Sequence, residues 1–464
     1  MFSYINLEKI KLNTKEGFIM KIKYYFGDER LLLKTTLCVA ALWIAAQMVL
    51  IVCFWGASHQ DTSGIGLYIA IAQRCFENGQ WYPMAKDVYS LQELSPPLVW
   101  GIWNPGYINY LILQLHVFGT VNFNAVLNLF LNIAMLFEVF YLGKKFFSKR
   151  TGLVSAIIFC LFYSNLMVVL DTNTENPFLF LCLSGLCLVF SGKWKYVIAA
   201  SLLFALANWI RPLAIIYLLA CALYFFITKA KFYNYAALII PYVLALFIIG
   251  TITHKKIGYF VYQSTTSGYN LLATSYDGAK GNVVNYIFEN EGGAGFIDNM
   301  DSLTFAQKDS IWKSRAFSWI RKHPVKFGTL FLKKIPALYL HDAWPFGWYY
   351  WRDAAITQNF FSGGSNAAQK AVFVKKLLSQ ALLSIPYYLT FPLFFYALWI
   401  NRREVFTVKA VFLVLLAAGT AITCIFNVAT RYHYPFIFTV IIYAAWGLDT
   451  LIEKNTNNDK TPSS

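Results

Sequence analysis

Charged side chains beside long apolar segments are the residues of this sequence best suited to chemistry. Carboxylates and imidazoles can transfer protons, and guanidinium groups can bind anions. Ionisable residues within or next to membrane segments are rare and usually functional. The candidates near one end of the apolar segments are Asp61, Glu77, Asp87, Glu93, Asp171, Glu175, Arg211, Arg431 and His433.

Several of these candidates also have a simpler structural interpretation. Asp61 follows the first apolar segment, and a solvated loop acid would occur there equally well. Asp171 and Glu175 precede Pro177, so they could cap the helix that Pro177 begins. Arg211 stands between two short apolar segments and could reach the membrane interface as an anchor. Sequence spacing leaves both interpretations of each residue open.

Two stretches and one residue pair accompany these candidates. Residues Ile65–Phe76 carry an apolar face at helical spacing, which predicts a helix lying on the bilayer that holds Asp61 at headgroup depth. The Trp-rich run at 344–351 indicates an interfacial belt rather than a sugar-binding platform. His341 and Asp342 could form a proton relay, although a chance pair at a loop turn explains them as well.

The composition shows what kind of protein must position these residues. Hydrophobic residues make up 58% of the 464 residues and charged residues only 13%, about half the share found in soluble proteins. The mean hydropathy is +0.50, and the 18% aromatic content suits interfacial belts and lipid-facing rings. Soluble enzymes, disordered chains and secreted disulfide scaffolds are excluded, which leaves a multi-spanning membrane protein.

The formal charge of +16 does not indicate a nucleic-acid partner. No contiguous basic helix or RNA-binding aromatic motif accompanies the 39 basic residues. We assign the excess charge to membrane topology and to contact with phospholipid or lipid phosphate.

The sequence lacks the motifs of several other enzyme classes. The chain has no Walker loop, Cys-x-x-Cys, His-Glu-x-x-His or Gly-x-Ser-x-Gly motif. The first outer loop has no Asp-x-Asp pair, so the sequence does not support a bound divalent metal, and no cofactor is expected. Seven of the eight cysteines stand in apolar runs, which is typical of small buried hydrophobes rather than of a disulfide framework.

Apolar segments of about 20 residues predict roughly ten transmembrane helices in an all-α polytopic fold. The predicted spans are Thr35–Trp55, Val121–Leu142, Gly152–Leu170, Pro177–Phe190, Tyr196–Ile210, Leu213–Ile227, Phe232–Thr253, Leu377–Ile400, Val405–Val428 and Tyr434–Ile452. Lys and Arg cluster in alternate connections, which the positive-inside rule places in the cytoplasm together with both termini. Residues Tyr107–Phe118 are too few to cross and are predicted to form a helix at the outer surface.

This topology divides the chain into five parts. They are a cytoplasmic N-terminal segment (1–34), a membrane core (35–253) with the first outer loop at 56–120, a long extracytoplasmic loop (254–376), C-terminal transmembrane helices (377–452) and a cytoplasmic tail (453–464). Nothing in the sequence resembles a separable soluble domain.

The order of these features resembles the GT-C membrane glycosyltransferases, and within them the protein O-mannosyltransferase and lipid A aminoarabinose transferase group. Asp61-Thr-Ser-Gly-Ile-Gly-Leu-Tyr68, followed by Asn78-Gly-Gln-Trp81, is similar to the family's first-loop motif. The run that begins Asn104-Pro-Gly-Tyr resembles the surface helix that follows. Many relatives carry Asp-Glu at the first site, whereas Thr62 follows Asp61 here, so Asp61 is the sole first-loop candidate.

The later parts of the chain continue the resemblance. Thr174-Glu175-Asn-Pro is similar to the family's second acidic site, and Trp209-Ile-Arg211-Pro212 falls where the family has a basic residue. Residues 267–281 with His323-Pro324 resemble the long outer loop, and Arg431-Tyr-His-Tyr-Pro435 resembles the last outer turn. The resemblance covers most of the chain.

The resemblance implies inverting transfer of a sugar from a polyprenyl-phosphate carrier to an acceptor hydroxyl at the outer face of the membrane. In that reaction Asp61 would take the hydroxyl proton, and arginines would stabilise the leaving phosphate. The substrate-binding residues it implies are Tyr68, Asp171, Glu175, Arg211, Arg431 and His433. The implied acceptor is a lipid, a glycan or a protein, and the implied location is the cell inner (plasma) membrane, where the protein is expected to act as a monomer.

Two other classes remain open from the sequence. A lipid-linked oligosaccharide flippase or a polysaccharide polymerase would also have many spans, but a flippase needs charges inside them, and here nearly all charges stand at span ends. A small-molecule transporter usually shows two halves related by an inverted repeat, and no such symmetry is visible.

Overall fold

A computed structural model describes residues 28–56, 64–83, 101–258, 260–280, 286–345 and 367–458. Asp61, Asp87, Glu93 and most of the Trp-rich run at 344–351 lie outside the described residues. The described part is helical throughout and contains no strand. The all-α fold class is therefore confirmed for this part of the chain.

The described residues in the first half of the chain form ten helices. They are α1 (Glu29–Cys53), α2 (Gly64–Glu77), α3 (Pro105–Phe118), α4 (Asn124–Phe146), α5 (Lys149–Leu161), α6 (Tyr163–Met167), α7 (Glu175–Phe190), α8 (Trp194–Ile210), α9 (Ile215–Ile227) and α10 (Phe232–Ile257). Polar caps mark where apolar runs begin: the Asp28 carboxylate accepts the Arg30 N–H at 2.8 Å, and the Ser148 hydroxyl accepts the Thr151 N–H at 2.9 Å.

The second half contains nine more helices among the described residues. They are α11 (Ser267–Leu272), α12 (Tyr286–Glu289), α13 (Phe305–Lys322), α14 (Pro324–Leu338), α15 (Ala367–Leu383), α16 (Ile385–Ile400), α17 (Arg402–Val405), α18 (Ala410–Ile425) and α19 (Tyr434–Asn458). Helix α19 is the most enclosed of the long apolar helices described, because 83% of the residues in its 18-residue apolar stretch are buried. It packs against α16, α5 and α18, so the bundle is assembled around it.

Every predicted span coincides with a helix or a helix pair, but the spans differ in length. Among the described residues, four helices are long and apolar enough to cross a membrane, or six if each of two bent pairs counts as one span. Helices α7, α8, α9 and α18 are apolar but shorter, with 13 to 17 residues. The protein is thus a multi-pass helical membrane protein, and ten crossings remain a prediction.

The predicted span Gly152–Leu170 is one of the two broken spans, and a row of asparagines supports the break. Helices α5 and α6, with the short 3-10 turn after α6, bend by 67° at Phe162. Such a bend leaves backbone carbonyls without helical partners, which is costly inside a bundle. Asn124 and Asn128, four residues apart on α4, both donate to the Asp171 carbonyl, at 3.0 and 2.8 Å. Asn132 donates to the Asn165 carbonyl at 3.4 Å, so one face of α4 holds the broken segment in place.

The helix predicted over Tyr107–Phe118 is present as α3, and it is largely covered by protein. Tyr107, Ile108, Leu111 and Ile112 are each 0% exposed. Helix α3 packs between α2 and the end of α8. Gly106 permits this approach, because a Cβ there would lie 2.6 Å from the Trp209 carbonyl carbon. Its position at the outer membrane surface remains a prediction.

The long segment after α10 has a core of its own, which the sequence analysis did not foresee. Helices α11 to α14 enclose buried aromatic residues that include Tyr269, Phe288, Trp312 and Trp319. Thr304 and Gln307 form a reciprocal capping box at the start of α13. This core forms because aromatic residues that are spread thinly along a polar sequence gather into one cluster.

Candidate active site

A cavity of about 360 Å³ lies where the ends of α7 and α8 meet the turn before α19. Its charged lining residues among those described are Glu175, Arg211 and Arg431. Tyr68 of α2 and Asn104, just before α3, form part of the wall. Segments distant in the sequence thus bring four predicted site residues, Tyr68, Glu175, Arg211 and Arg431, into one cavity.

Helix ends place Arg211 and Glu175 opposite each other. Pro212 disfavours helical backbone at the preceding residue, so α8 ends at Ile210, and Arg211 is extended. Glu175 is the first residue of α7, where a negative charge interacts favourably with the helix dipole. The Arg211 Nη1 atom donates to Glu175 Oε1 at 2.6 Å. Glu175 is 1% exposed, so its charge is buried and depends on this partner.

Arg431 is the second cation at the same carboxylate. Its Nε atom lies 3.6 Å from Glu175 Oε1, and its side chain is 25% exposed. Both guanidinium groups lie against the Tyr432 ring, at 4.8 Å for Arg211 and 5.4 Å for Arg431. Two cations face one carboxylate, so these three side chains carry a net charge of +1 and favour an anionic ligand.

Tyr68 contributes a neutral hydroxyl to the cavity wall. Asn104 Nδ2 donates to its phenol oxygen at 2.7 Å, and the Tyr68 ring packs edge-on against Tyr107. Asn104 has a φ of 31°, in the left-handed region that asparagine tolerates better than most residues. Burial raises the pKa of Tyr68 to about 12, so the phenol keeps its proton at physiological pH.

Asp171 and His433 are not among the residues that line the cavity. Asp171 is 3% exposed, and its carbonyl is held by the asparagines of α4. His433 is 0% exposed; its Nδ1 atom is 2.9 Å from the Leu338 carbonyl oxygen, and its Nε2 atom is 3.6 Å from Asp342 Oδ1. This geometry gives both residues a supporting position beside the cavity, and their predicted contact with substrate remains untested.

The structure also shows which contacts Glu175, Arg211 and Asp342 make, for which the sequence left two interpretations open. Thr174 makes no side-chain cap at the start of α7, and the Glu175 carboxylate accepts a hydrogen bond from Arg211. Arg211 is 9% exposed and therefore does not extend to an interface as a free anchor. Asp342 accepts the Ser164 N–H at 2.9 Å, so it holds the start of α6. Asp61 lies outside the described residues.

The neutral polar residues of the wall were not among the substrate-binding residues predicted from the sequence. They are Asn104, Asn173, Thr174, Gln263, Ser264, Thr266, Ser267, Asn270, Thr423 and Asn427. Such side chains suit sugar hydroxyls, which both donate and accept hydrogen bonds. The run Gln263–Ser267 gave a weak signal, because five polar residues in a row directly follow an apolar helix and a short turn.

A metal site is not apparent in the part of the chain that the structure describes. No group of three or more His, Cys, Asp or Glu side chains there could hold a metal ion. The charged lining consists of one carboxylate with two arginines, a set that suits an anion rather than a cation.

No known family model matches this chain, and neither does any curated protein sequence. Among solved structures, the chain is similar to archaeal oligosaccharyltransferase AglB from Archaeoglobus fulgidus, in complex with an inhibitory peptide and a dolichol-phosphate. The identity is 11% and the TM-score 0.43, over 92% of this chain and 52% of that one. This chain thus spans about half the length of that protein, and at such identity the activity of one chain does not transfer to the other.

Proposed function

We propose that this protein transfers a sugar from a polyprenyl-phosphate-linked donor to an acceptor hydroxyl at the extracytoplasmic face of the cell membrane. The observation that carries the proposal is the convergence of Arg211 and Arg431 on Glu175 in a cavity with a polar wall. An enzyme that uses a membrane-bound donor needs such an anion site at the end of its helices, because the lipid tail must stay in the bilayer.

The charge of the site suits this donor. A sugar linked through one phosphate to a lipid is a phosphodiester with a single negative charge. The net charge of +1 on Arg211, Arg431 and Glu175 matches it, and a guanidinium group can bind two phosphate oxygens side by side. As the bond to the sugar breaks, the leaving phosphate gains a second negative charge. The two arginines would then stabilise the transition state more strongly than the bound donor.

The cavity size and its lining suit one sugar residue. A volume of about 360 Å³ is near the lower end of the range of roughly 300–1,000 Å³ for small-molecule sites. The amide and hydroxyl groups of Gln263, Asn270 and Asn427 can pair with sugar hydroxyls. Asn208 Nδ2 donates to Gln263 Oε1 at 3.1 Å, which orients that amide. We therefore favour a monosaccharide donor over a lipid-linked oligosaccharide.

The proposed reaction is a single displacement with inversion at the anomeric carbon. The acceptor hydroxyl oxygen forms the new glycosidic bond, the bond to phosphate oxygen breaks, and lipid phosphate leaves with its electron pair. Asp61 is the proposed base that takes the hydroxyl proton and orients the oxygen for in-line attack. Glu175 orients the arginines and, with them, the donor. Phosphate is a good leaving group and needs stabilisation of its charge rather than protonation.

The test is to incubate the purified protein with a panel of polyprenyl-phosphate monosaccharides and an acceptor extract, and to measure the lipid phosphate released. We expect one donor to release lipid phosphate together with a glycosylated acceptor. The Arg211→Ala variant, which lacks one proposed phosphate ligand, serves as the low-activity comparison once its melting temperature shows that it is folded. Movement of the intact lipid-linked sugar across vesicles without release of lipid phosphate would instead identify a flippase and overturn the proposal.

A further inference from the structure

A second concave site lies between α8 and α10, away from the candidate active site. It is an apolar groove of about 660 Å³, lined by Trp194 and Ile198 of α8 and by Tyr233, Ala236, Ile240 and Pro241 of α10. Trp194, Tyr233 and Ile240 are 49%, 52% and 62% exposed, so the groove opens to the outside of the bundle. In a membrane protein such an open apolar surface faces lipid.

The sequence explains why the two helices leave space here. Ala236 has a small side chain, which makes a shallow floor between larger walls. Pro241 lacks the N–H that would continue the helical ladder, and its ring crowds the preceding turn, so it disfavours a straight, closely packed helix. Trp194 and Tyr233, at the first turns of their helices, stand at one end of the groove. Aromatic side chains of this type favour the headgroup level of a bilayer.

Positive charge is concentrated at that same end of the groove. Lys193 directly precedes α8, and Lys231 directly precedes α10. Lys195 stands in the first turn of α8 and Lys229 in the connection before α10, and neither 191–195 nor 228–231 contains an acidic residue. The Lys195 Nζ atom lies 6.0 Å from the Trp194 ring. The groove therefore joins an apolar trough to a cluster of lysines, which is complementary to an anionic headgroup with acyl chains.

The dimensions separate this groove from the candidate active site. Helix α8 has 17 residues, so its first and last residues are about 24 Å apart at 1.5 Å per residue. Trp194 lines the groove at one end, and Arg211 lines the cavity just beyond the other. From Tyr233 to Pro241 the groove extends about 12 Å along α10. That depth fits within one leaflet, which is about 15 Å thick.

We propose that this groove is a binding site for an anionic phospholipid, with its acyl chain along α8 and α10 and its phosphate among Lys193, Lys195 and Lys231. The proposal does not depend on the function proposed above, because the groove and the cavity share no lining residue. The phospholipid belongs to the leaflet beside the lysines, whereas the proposed donor places its phosphate at the arginines.

The experiment is native mass spectrometry of the delipidated protein with phosphatidylglycerol or phosphatidylcholine of identical chains. We expect phosphatidylglycerol to bind more tightly, and we expect Lys193→Gln with Lys231→Gln to weaken it by about 25-fold. This value follows from a contribution of about fivefold for each lysine near an anionic headgroup. The matched control is Lys255→Gln with Lys256→Gln, which removes the same charge at the other end of α10 and should leave binding unchanged.

A groove-filling variant tests the apolar part separately. Ala236→Phe should weaken phosphatidylglycerol binding at least fivefold while the melting temperature stays near that of the wild type. Equal binding of both lipids to the wild type would overturn the proposal. An equal loss of phosphatidylglycerol binding in the two double-lysine variants would overturn it as well. Displacement of phosphatidylglycerol by polyprenyl phosphate in the Arg211→Ala variant would assign the groove to the donor lipid and overturn it as well.

Discussion

Arg211 and Glu175 are separated by 36 positions in the sequence, yet their side chains form a hydrogen-bonded ion pair of 2.6 Å. The pair joins the last turn of α8 to the first turn of α7, and Arg431 approaches the same carboxylate oxygen from the turn before α19. Three helix ends are thereby fixed around one cavity. The pair contributes both to the stability of the bundle and to the charge of the candidate site, and substitutions can separate these two roles.

Arg211→Ala should both lower stability and impair use of the lipid donor. The substitution leaves the Glu175 carboxylate buried with Arg431 as its remaining cation, and breaking a buried pair costs about 3–5 kcal/mol. Arg211→Lys should recover only part of the donor use, because an ammonium group is a point charge rather than a planar fork. The measurements are the melting temperature and kcat/KM for the donor.

Two further variants distinguish the roles of this pair. Arg211→Gln combined with Glu175→Gln replaces the ion pair by a neutral hydrogen bond and leaves Arg431 as the remaining charge. Stability should therefore recover only in part, because Arg431 loses its carboxylate partner, while donor use stays low. Lys149→Ala breaks the exposed pair with Glu29, and such surface pairs contribute about 0–1 kcal/mol, so this control should change neither quantity. Full activity in Arg211→Ala would show that Arg211 is not a phosphate ligand.

Tyr68→Phe should reduce kcat/KM for the donor about five- to tenfold, because it removes the hydroxyl that Asn104 binds at 2.7 Å. Since burial raises the pKa of Tyr68 to about 12, the group stays neutral at lower pH. The ratio of wild-type to variant activity should therefore be constant between pH 6 and 10. A ratio that changes within that interval would contradict this assignment.

The control for Tyr68 is Tyr388→Phe. Tyr388 donates one hydrogen bond to the Leu340 carbonyl at 2.8 Å and does not line the cavity. Tyr388→Phe should leave kcat/KM for the donor unchanged. An equal loss of kcat/KM in both variants would point to a general effect on folding.

Gly106→Ala should destabilise the protein by roughly 1–3 kcal/mol and impair donor use. Its new Cβ would lie 2.6 Å from the Trp209 carbonyl carbon, so the end of α8 that carries Arg211 must move. Gly328→Ala is the matched control, because a Cβ at that helical position meets nothing within 4 Å. The control should be neutral or slightly stabilising in a thermal melt. Equal melting temperatures for the two variants would remove this account of α3 packing.

Asp61→Asn should abolish transfer while the protein remains folded and still binds the donor. Asparagine keeps the size of the side chain but cannot accept a proton, and loss of a general base lowers rates by about 10²- to 10⁴-fold. The same substitution at a solvated loop acid would change stability by no more than about 0.5 kcal/mol and would not affect the rate. Transfer near the wild-type rate would eliminate Asp61 as the base.

Single cysteines can test the predicted topology. Lys145→Cys, in the last turn of α4, and Lys280→Cys, in the segment after α11, replace exposed residues. An impermeant maleimide should label them from opposite sides of sealed vesicles, and the wild type reports any background from native cysteines. Labelling of both from one side would contradict the predicted placement of the cavity at the outer face.

The sequence alone determined the helical membrane class and the positions of the long apolar helices. Local properties explain this success: long apolar runs favour helices in lipid because they satisfy their own backbone hydrogen bonds. Pro212 marks the end of α8 for an equally local reason. The helix predicted over Ile65–Phe76 is present as α2, and Ile69 and Ala72 of its apolar face are buried within the protein. Its position on the bilayer stays a prediction.

Only the tertiary structure decided which charged residues meet. The sequence placed Arg211, Glu175, Arg431 and His433 near helix ends without giving any distance between them. Packing brings the first three to one cavity and turns His433 towards Leu338 and Asp342. Likewise, the bend at Phe162 and the core around Trp312 depend on partners far along the chain. Local pattern sets the helices, whereas contacts between their ends assemble the site, because those contacts depend on how whole helices pack.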